Sequence, residues 1–130
     1  MPVIRTNKKK MGQDNRPEWC NVTNAGMFSI PTKNGRADCH YHDCDEYWLV
    51  FRGKAKIMTE DQTFYVGAGD IVCTQAGDEH DIIEVYEDLE AFYFEGTTPA
   101  GGRVGHRHRD AVKAEGHPVP SLPVPNDFPQ

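Results

Sequence analysis

The sequence predicts an all-β fold, a sandwich or small closed barrel. Three observations carry this reading. At least seven short apolar-rich runs recur every 8–12 residues between residues 27 and 95, the cadence of strands joined by tight turns. No segment in that window repeats its apolar residues with a helical period. At 130 residues and 38% apolar composition, the chain can bury one modest core and so forms one domain.

The elements follow in order. Residues 1–25 carry turn formers and little periodicity, and are expected to form an arm with at most one short strand. The barrel is assigned to 26–98. Glu46–Arg52 is aromatic and branched, and Gly53 is expected to end it. Lys54–Thr59 alternates Lys54, Lys56 and Met58 against Ala55, Ile57 and Thr59, the pattern of a half-buried strand with a solvated lysine face. Glu60–Gln62 is read as a turn, Thr63–Val66 as a strand, Gly67–Asp70 as a turn and Ile71–Thr74 as a strand. His80–Tyr86 and Leu89–Glu95 close the series as two further strands. Residues 99–130 form a basic segment and a tail with five prolines from Gly116 onward. Proline lacks the N–H of a ladder, so this tail is expected to be extended. Asp110–Glu115 is the one candidate helical turn.

Composition excludes several functions. Twenty acids against fourteen bases give a net charge of −6, which argues against a nucleic-acid partner. No apolar run approaches the ~18 residues of a membrane span. The basic N-terminus has no apolar stretch behind it, so no secretory signal is expected and the cytoplasm is the expected compartment. The two serines, Ser29 and Ser121, lie outside any nucleophile-elbow pattern. The four cysteines, Cys20, Cys39, Cys44 and Cys73, show no C-x-x-C spacing and read as reduced thiols. Charge is uneven: residues 1–13 hold four bases and no acid, whereas 60–95 hold eleven acids and no lysine or arginine.

The chemistry concentrates in His40, His42, Glu46 and His80. Residues two apart on a strand share a face, so His40 and His42 point the same way. Glu46 keeps that parity if the Asp43–Asp45 bend preserves register. His80 starts a strand that a closed sheet can bring opposite. Imidazole and carboxylate together suit one divalent transition metal, Fe, Zn, Ni, Mn or Co. Three histidines and one carboxylate leave positions open for water, substrate or dioxygen.

Glycines frame these residues. Gly35-x4-His40-x-His42-x3-Glu46-x6-Gly53 resembles the first motif of the cupin superfamily, and Gly69-x5-Gln75-x-Gly77-x2-His80 resembles its second. The matched stretches cover 35–84, and the strand pattern extends the likeness to about residue 95. The resemblance implies a double-stranded β-helix, a jelly-roll-like barrel, usually dimeric, with the metal inside. His40, His42, Glu46 and His80 fall on the four ligand positions of the family. The departures are a short first gap, Gln75 for the usual proline and Glu84 for the usual asparagine. None removes a ligand.

Parity sketches the pocket. With Glu46 inward, Trp48 and Val50 follow, and Trp48 is either core or a substrate platform. With His80 inward, Ile82 and Glu84 follow. Glu84 is then the candidate general base, or alternatively a carboxylate paired with Arg36 or Arg52. Cys44 reads as a small structural residue or a pocket thiol. The segment from Gly102 to Arg109 carries Arg103, Arg107 and Arg109. They are expected either to rim the mouth and bind an anionic substrate, Arg103 and Arg107 first, or to cover the acidic face. His106-Arg107-His108 repeats the H-x-H spacing without glycine framing.

Fold does not set function. The first expectation is a metal-dependent isomerase, epimerase or lyase acting on a small polar or anionic molecule. The second is an Fe(II)-dependent dioxygenase. The third is a non-catalytic metal- or ligand-binding domain. A homodimer is expected, because open sheet edges need cover.

Overall fold

The structure, a computed structural model, describes residues 2–97 and 104–129. Its main sheet contains β1 (Asn24–Ile30), β3 (Glu46–Thr59), β4 (Gln62–Gly67), β5 (Ile71–Thr74) and β6 (His80–Glu95). The order is β1-β6-β3-β4, with β5 also paired to β3, and all these pairings are antiparallel. A second, two-stranded sheet pairs β2 (Arg36–Ala37) with β7 (His117–Pro118). One short helix, α1 (Ala111–Glu115), matches the helical turn expected there. Its N-cap Asp110 accepts from Lys113 N–H at 2.8 Å. All-β architecture is thus as the sequence predicts.

Two boundaries differ from expectation. Gly53 does not end a strand, and residues 87–88 do not separate two. β3 and β6 each run on through a continuous ladder, from Glu46↔Glu95 at one end to Thr59↔His80 at the other. Register shifts on both sides of Arg52 and at Lys54 take up the curvature. Gly53 adopts φ +90° within this bulged stretch, and a Cβ there would lie 2.0 Å from the Asp88 carbonyl oxygen. The glycine lets the two strands approach closely while bending. A turn and a bulge demand the same residue, so sequence alone does not separate them.

The core forms where the long strands face inward. Val50, Ala55 and Ile57 of β3 meet Ile82, Val85, Leu89 and Ala91 of β6, with Val66, Val72 and Ile30 closing the sides. Alternation in Lys54–Thr59 holds as read, with Ala55, Ile57 and Thr59 buried and the intervening residues half-exposed. The proline-rich tail lies extended against the barrel. Val119 joins the core, its N–H donates to the Gly35 carbonyl at 2.8 Å, and Phe128 is buried.

His117 anchors this tail, one ring nitrogen lying 2.8 Å from each Asp81 oxygen. Burial lowers the His117 pKa, but hydrogen bonds to Pro118 and Asp81 outweigh it, so the value is raised. The pair is therefore fully stabilising below the pKa of a free histidine, about 6.5. Its contribution is lost as pH rises through the raised folded value. His117→Gln is expected to flatten that part of the stability–pH curve, measured by urea unfolding. An unchanged curve would exclude the linkage.

The opposite face of the sheet is unusually apolar. Tyr47, Leu49 and Phe51 of β3 point outward and are exposed, as are Met27 and Ile71. Leu49 lies between Ile71 and Phe92, and Met27 opposes Phe92 from the other side. Phe92 contacts both Phe51 and Phe94, at centroid distances of 5.1 and 6.2 Å. The patch is contiguous across β1, β3, β5 and β6.

Candidate metal centre

The site is built from three segments. Asp38–Asp45 leaves β2 and crosses the open end of the barrel. There His40 makes an isolated antiparallel bridge to His80, with N–H···O distances of 3.2 and 2.9 Å. That bridge sets His40 and His80 side by side, their ring centroids 4.2 Å apart. Glu46 begins β3, and strand alternation sends Glu46, Trp48 and Val50 inward together, as parity predicts.

His40, His42, Glu46 and His80 each bring one donor atom into a group within 4.8 Å of one another. Two ligands of one ion, each about 2.1 Å from it, sit roughly 3–4 Å apart, so this spacing is close to that of a bound set. The four residues named from sequence therefore do converge. Three of them, His40, His42 and Glu46, line a cavity of about 460 Å³, room for a small molecule.

Local bonds orient the donors. His40 Nδ1 lies 2.7 Å from the Asp38 carbonyl oxygen, which leaves Nε2 as the outward ligand atom. Trp48 Nε1 donates to Glu46 Oε1 at 2.7 Å. Burial, and after it the neighbouring His80, push the His40 pKa down to about 4, so this ring is neutral and able to ligate at neutral pH. Burial raises the Glu46 pKa, but His80 and His42 beside it lower it further, leaving the carboxylate ionised. His80 is 0% exposed, and neither of its ring nitrogens completes a hydrogen bond, although Nε2 lies 3.2 Å from Glu46 Oε1. An unmet buried polar group costs about 1–3 kcal/mol. A cation at the centre of the four donors would satisfy one of the two His80 nitrogens, so these residues fit a metal of the class expected from sequence.

The remaining candidates scatter. Trp48 lines the cavity and also packs edge-on against Phe28 at 5.1 Å, so it serves the wall and the core together. Glu84 does not reach the cavity. Lys56 pairs with Glu84 while Ile57 pairs with Ile82, so Ile83 is an extra residue on β6. This bulge inverts parity: Val85 points into the core. Glu84 instead meets Tyr86 Oη at 2.5 Å and Lys56 Nζ at 3.8 Å. Arg107 bridges to Tyr41 through the backbone, and its guanidinium sits 5.7 Å from the Tyr41 ring, away from the cavity lining. Arg103 lies outside the described residues. Cys44 is buried without lining the cavity, and no disulfide joins any of the four cysteines.

Other residues stand at the site that sequence reasoning did not assign to it. Lys10, from the N-terminal arm, and Arg36, from β2, line the cavity and supply its cationic groups. His106 also lines it, stacked 3.6 Å from His40, with both His106 and His108 held by Asp38 Oδ2 at 2.5 and 2.6 Å. Glu95 ends β6 directly opposite Glu46. The second H-x-H was visible in the sequence, but its target was not.

The sequence profile of the cupin domain matches residues 26–95, which spans both histidine segments of the centre. The chain belongs to the cupin family. Cupins commonly bind a metal, and this cupin gathers the His/Glu set for one. It is 40% identical over 74 residues to the uncharacterized protein y4oW of Sinorhizobium fredii, covering 57% of this chain and 34% of that protein. The cupin thus spans about a third of the length of the curated relative it matches. Among solved structures, it resembles a cupin 2 conserved barrel domain protein from Rhodopseudomonas palustris, with TM-score 0.62, 15% identity, and coverage of 77% of this chain and 66% of that one. It also resembles the DMSP lyase DddQ from Ruegeria pomeroyi, with TM-score 0.55, 19% identity, and coverage of 65% and 43%. A predicted oxalate decarboxylase from Thermotoga maritima gives TM-score 0.53, 19% identity, and coverage of 59% and 68%. These likenesses establish the double-stranded β-helix fold. Among the described residues no helix is long and apolar enough to cross a membrane.

Proposed function

We propose that this cupin binds one divalent transition-metal ion through His40, His42, Glu46 and His80. In this reading it is an enzyme of the isomerase, epimerase or lyase type for a small polar or anionic molecule. The observation that carries the proposal is the converging donor set, in which His40, His42 and Glu46 line a small cavity and the fully buried His80 completes the group with ring nitrogens that make no hydrogen bond. The ion, when bound, would supply Lewis acidity toward a carbonyl, hydroxyl or carboxylate oxygen. The chain's own groups do the rest. Arg36 and Lys10 receive the anionic end, Trp48 walls the cavity, and Tyr93, also in the lining, is placed to exchange a proton with a bound molecule.

Metal analysis of protein purified without a metal-binding tag tests the reading. One equivalent of zinc, nickel, cobalt or manganese supports the redox-neutral chemistry. Stoichiometric iron turns the assignment to the dioxygenase, and absence of any metal removes it.

Anion recognition is separately testable. Arg36→Ala is expected to weaken binding of a small dicarboxylate such as malonate roughly tenfold, the worth of one charge-assisted hydrogen bond. Arg107→Ala is expected to leave it unchanged, since Arg107 lies on Tyr41. Calorimetry showing the reverse order would return the anion site to the basic segment.

A homodimer through the apolar sheet face completes the proposal. The face around Leu49 and Phe92 is continuous, and a second copy offers the same surface to it. Leu49→Glu is expected to convert a species of twice the chain mass into monomer in sedimentation experiments at micromolar concentration. A wild-type protein that already sediments as monomer would refute the pairing.

A further inference from the structure

Glu95 is the last residue of β6 and the cross-strand partner of Glu46. The two carboxylates face each other on the inner wall, 2% and 5% exposed. Buried glutamates need a counter-charge or a full set of donors. Asn24 Nδ2 donates to Glu95 Oε2 at 3.2 Å, while Trp48 donates to Glu46. His42 stands between the two acids. Its Nδ1 is 3.6 Å from Glu46 Oε2, and its Nε2 is 3.5 Å from Glu95 Oε1. Glu95 is outside the four donors gathered within 4.8 Å, so it backs the set rather than joining it.

We propose that Glu95 is the positioning carboxylate of the metal centre: it holds His42 from behind and supplies the second negative charge that makes the centre neutral around a divalent ion. The proposal rests on the metal-binding reading above. The His42 nitrogen beside Glu46 sits at the separation of two ligands sharing one ion. The opposite nitrogen then carries the proton and faces Glu95 Oε1 at 3.5 Å. A carboxylate in this place fixes the tautomer and raises the basicity of the ligating nitrogen. The charge argument is independent of ring orientation. A centre with Glu46 alone keeps a net positive charge once a dication enters a site of low dielectric, and Glu95 cancels it. The arrangement also explains why two acids are tolerated face to face on neighbouring strands, where like charges otherwise repel.

The test uses metal-free full-length protein titrated with Co(II), read by its visible absorption and by competition with Zn(II). Glu95→Gln keeps the shape and a contact to Asn24 but removes the charge. It is expected to bind Co(II) 10–100-fold more weakly with an altered absorption band, while the melting of the metal-free protein is not lowered. Glu95→Asp is expected to recover part of the affinity. Wild-type affinity and spectrum in Glu95→Gln would overturn the proposal and leave the four-ligand site standing. If Glu95→Gln does not fold, Asn24→Ala is read instead, since it loosens Glu95 without changing its charge. An unshifted Co(II) band in that variant would equally overturn it. A wild-type protein that takes up no Co(II) would remove the metal reading, and the role of Glu95 with it.

Discussion

Alanine at His42 is expected to leave a folded barrel that has lost more than a hundredfold in divalent-metal affinity. Even the outer partners of metal ligands cost 10–100-fold when removed, and His42 is itself one of four donors. The fold survives because the core is built elsewhere, by Val50, Ile57, Val85 and Leu89. Metal content after dialysis checks the first half, and melting of the metal-free protein the second. The two combine in a linkage experiment. An ion that binds only the native state, at a hundred times its Kd, stabilises by about 2.7 kcal/mol. Chelation should therefore lower the melting temperature of the wild type and leave that of His42→Ala unmoved. Stoichiometric metal retained by His42→Ala would show that the assignment of ligands is wrong. His80→Ala should lose metal as completely, but with a lower melting temperature as well, because it empties a fully buried position.

Gly53→Ala is the stability counterpart, expected to cost about 3 kcal/mol or more. Two penalties add. The left-handed backbone at φ +90° costs a non-glycine residue of order 1–3 kcal/mol. The new Cβ would also meet the Asp88 carbonyl oxygen at 2.0 Å, with the Asp88 carbon and Leu89 Cα at 2.6 and 2.8 Å. All three are backbone atoms of the paired strand, so nothing flexible can give way. The expected drop in melting temperature is of order 10 °C. Gly69→Ala is the internal control: its φ is +96°, yet a Cβ there meets nothing within 4 Å, so it should cost the backbone penalty alone. Equal effects in the two variants would mean that the close approach of β3 to β6 does not matter.

The contrast between these glycines marks what a linear reading can supply. Glycine at 53 and at 69 is plain in the sequence, as part of the spacing that resembles the family motifs. That one glycine is pressed against a neighbouring strand and the other is open follows only from the register of β3 with β6.

Alternation was legible because it is local. A strand turns its side chains over every two residues, so Glu46, Trp48 and Val50 could be placed on one wall, and Ala55, Ile57 and Thr59 likewise, before any partner strand was known. The candidate donor set His40, His42, Glu46 and His80 was legible for a related reason: its members sit within two glycine-framed stretches of fixed spacing. Parity failed once an extra residue entered. The bulge at Ile83 turned Glu84 to the Lys56 side and sent Val85 inward, and a bulge is fixed by strand pairing rather than by the residue types within it.

Long-range placement lay beyond the sequence altogether. Glu95 became a neighbour of His42 because the last residue of β6 pairs with the first residue of β3, some fifty positions earlier in the chain. Lys10, Arg36 and His106 reached the same cavity from three segments with no common pattern. The sequence alone determined the strand class, the inward face of β3 and four donors of suitable chemistry. The tertiary structure decided which charges surround those donors, because charge neighbourhoods depend on through-space distance, and here that distance is set by register across the barrel.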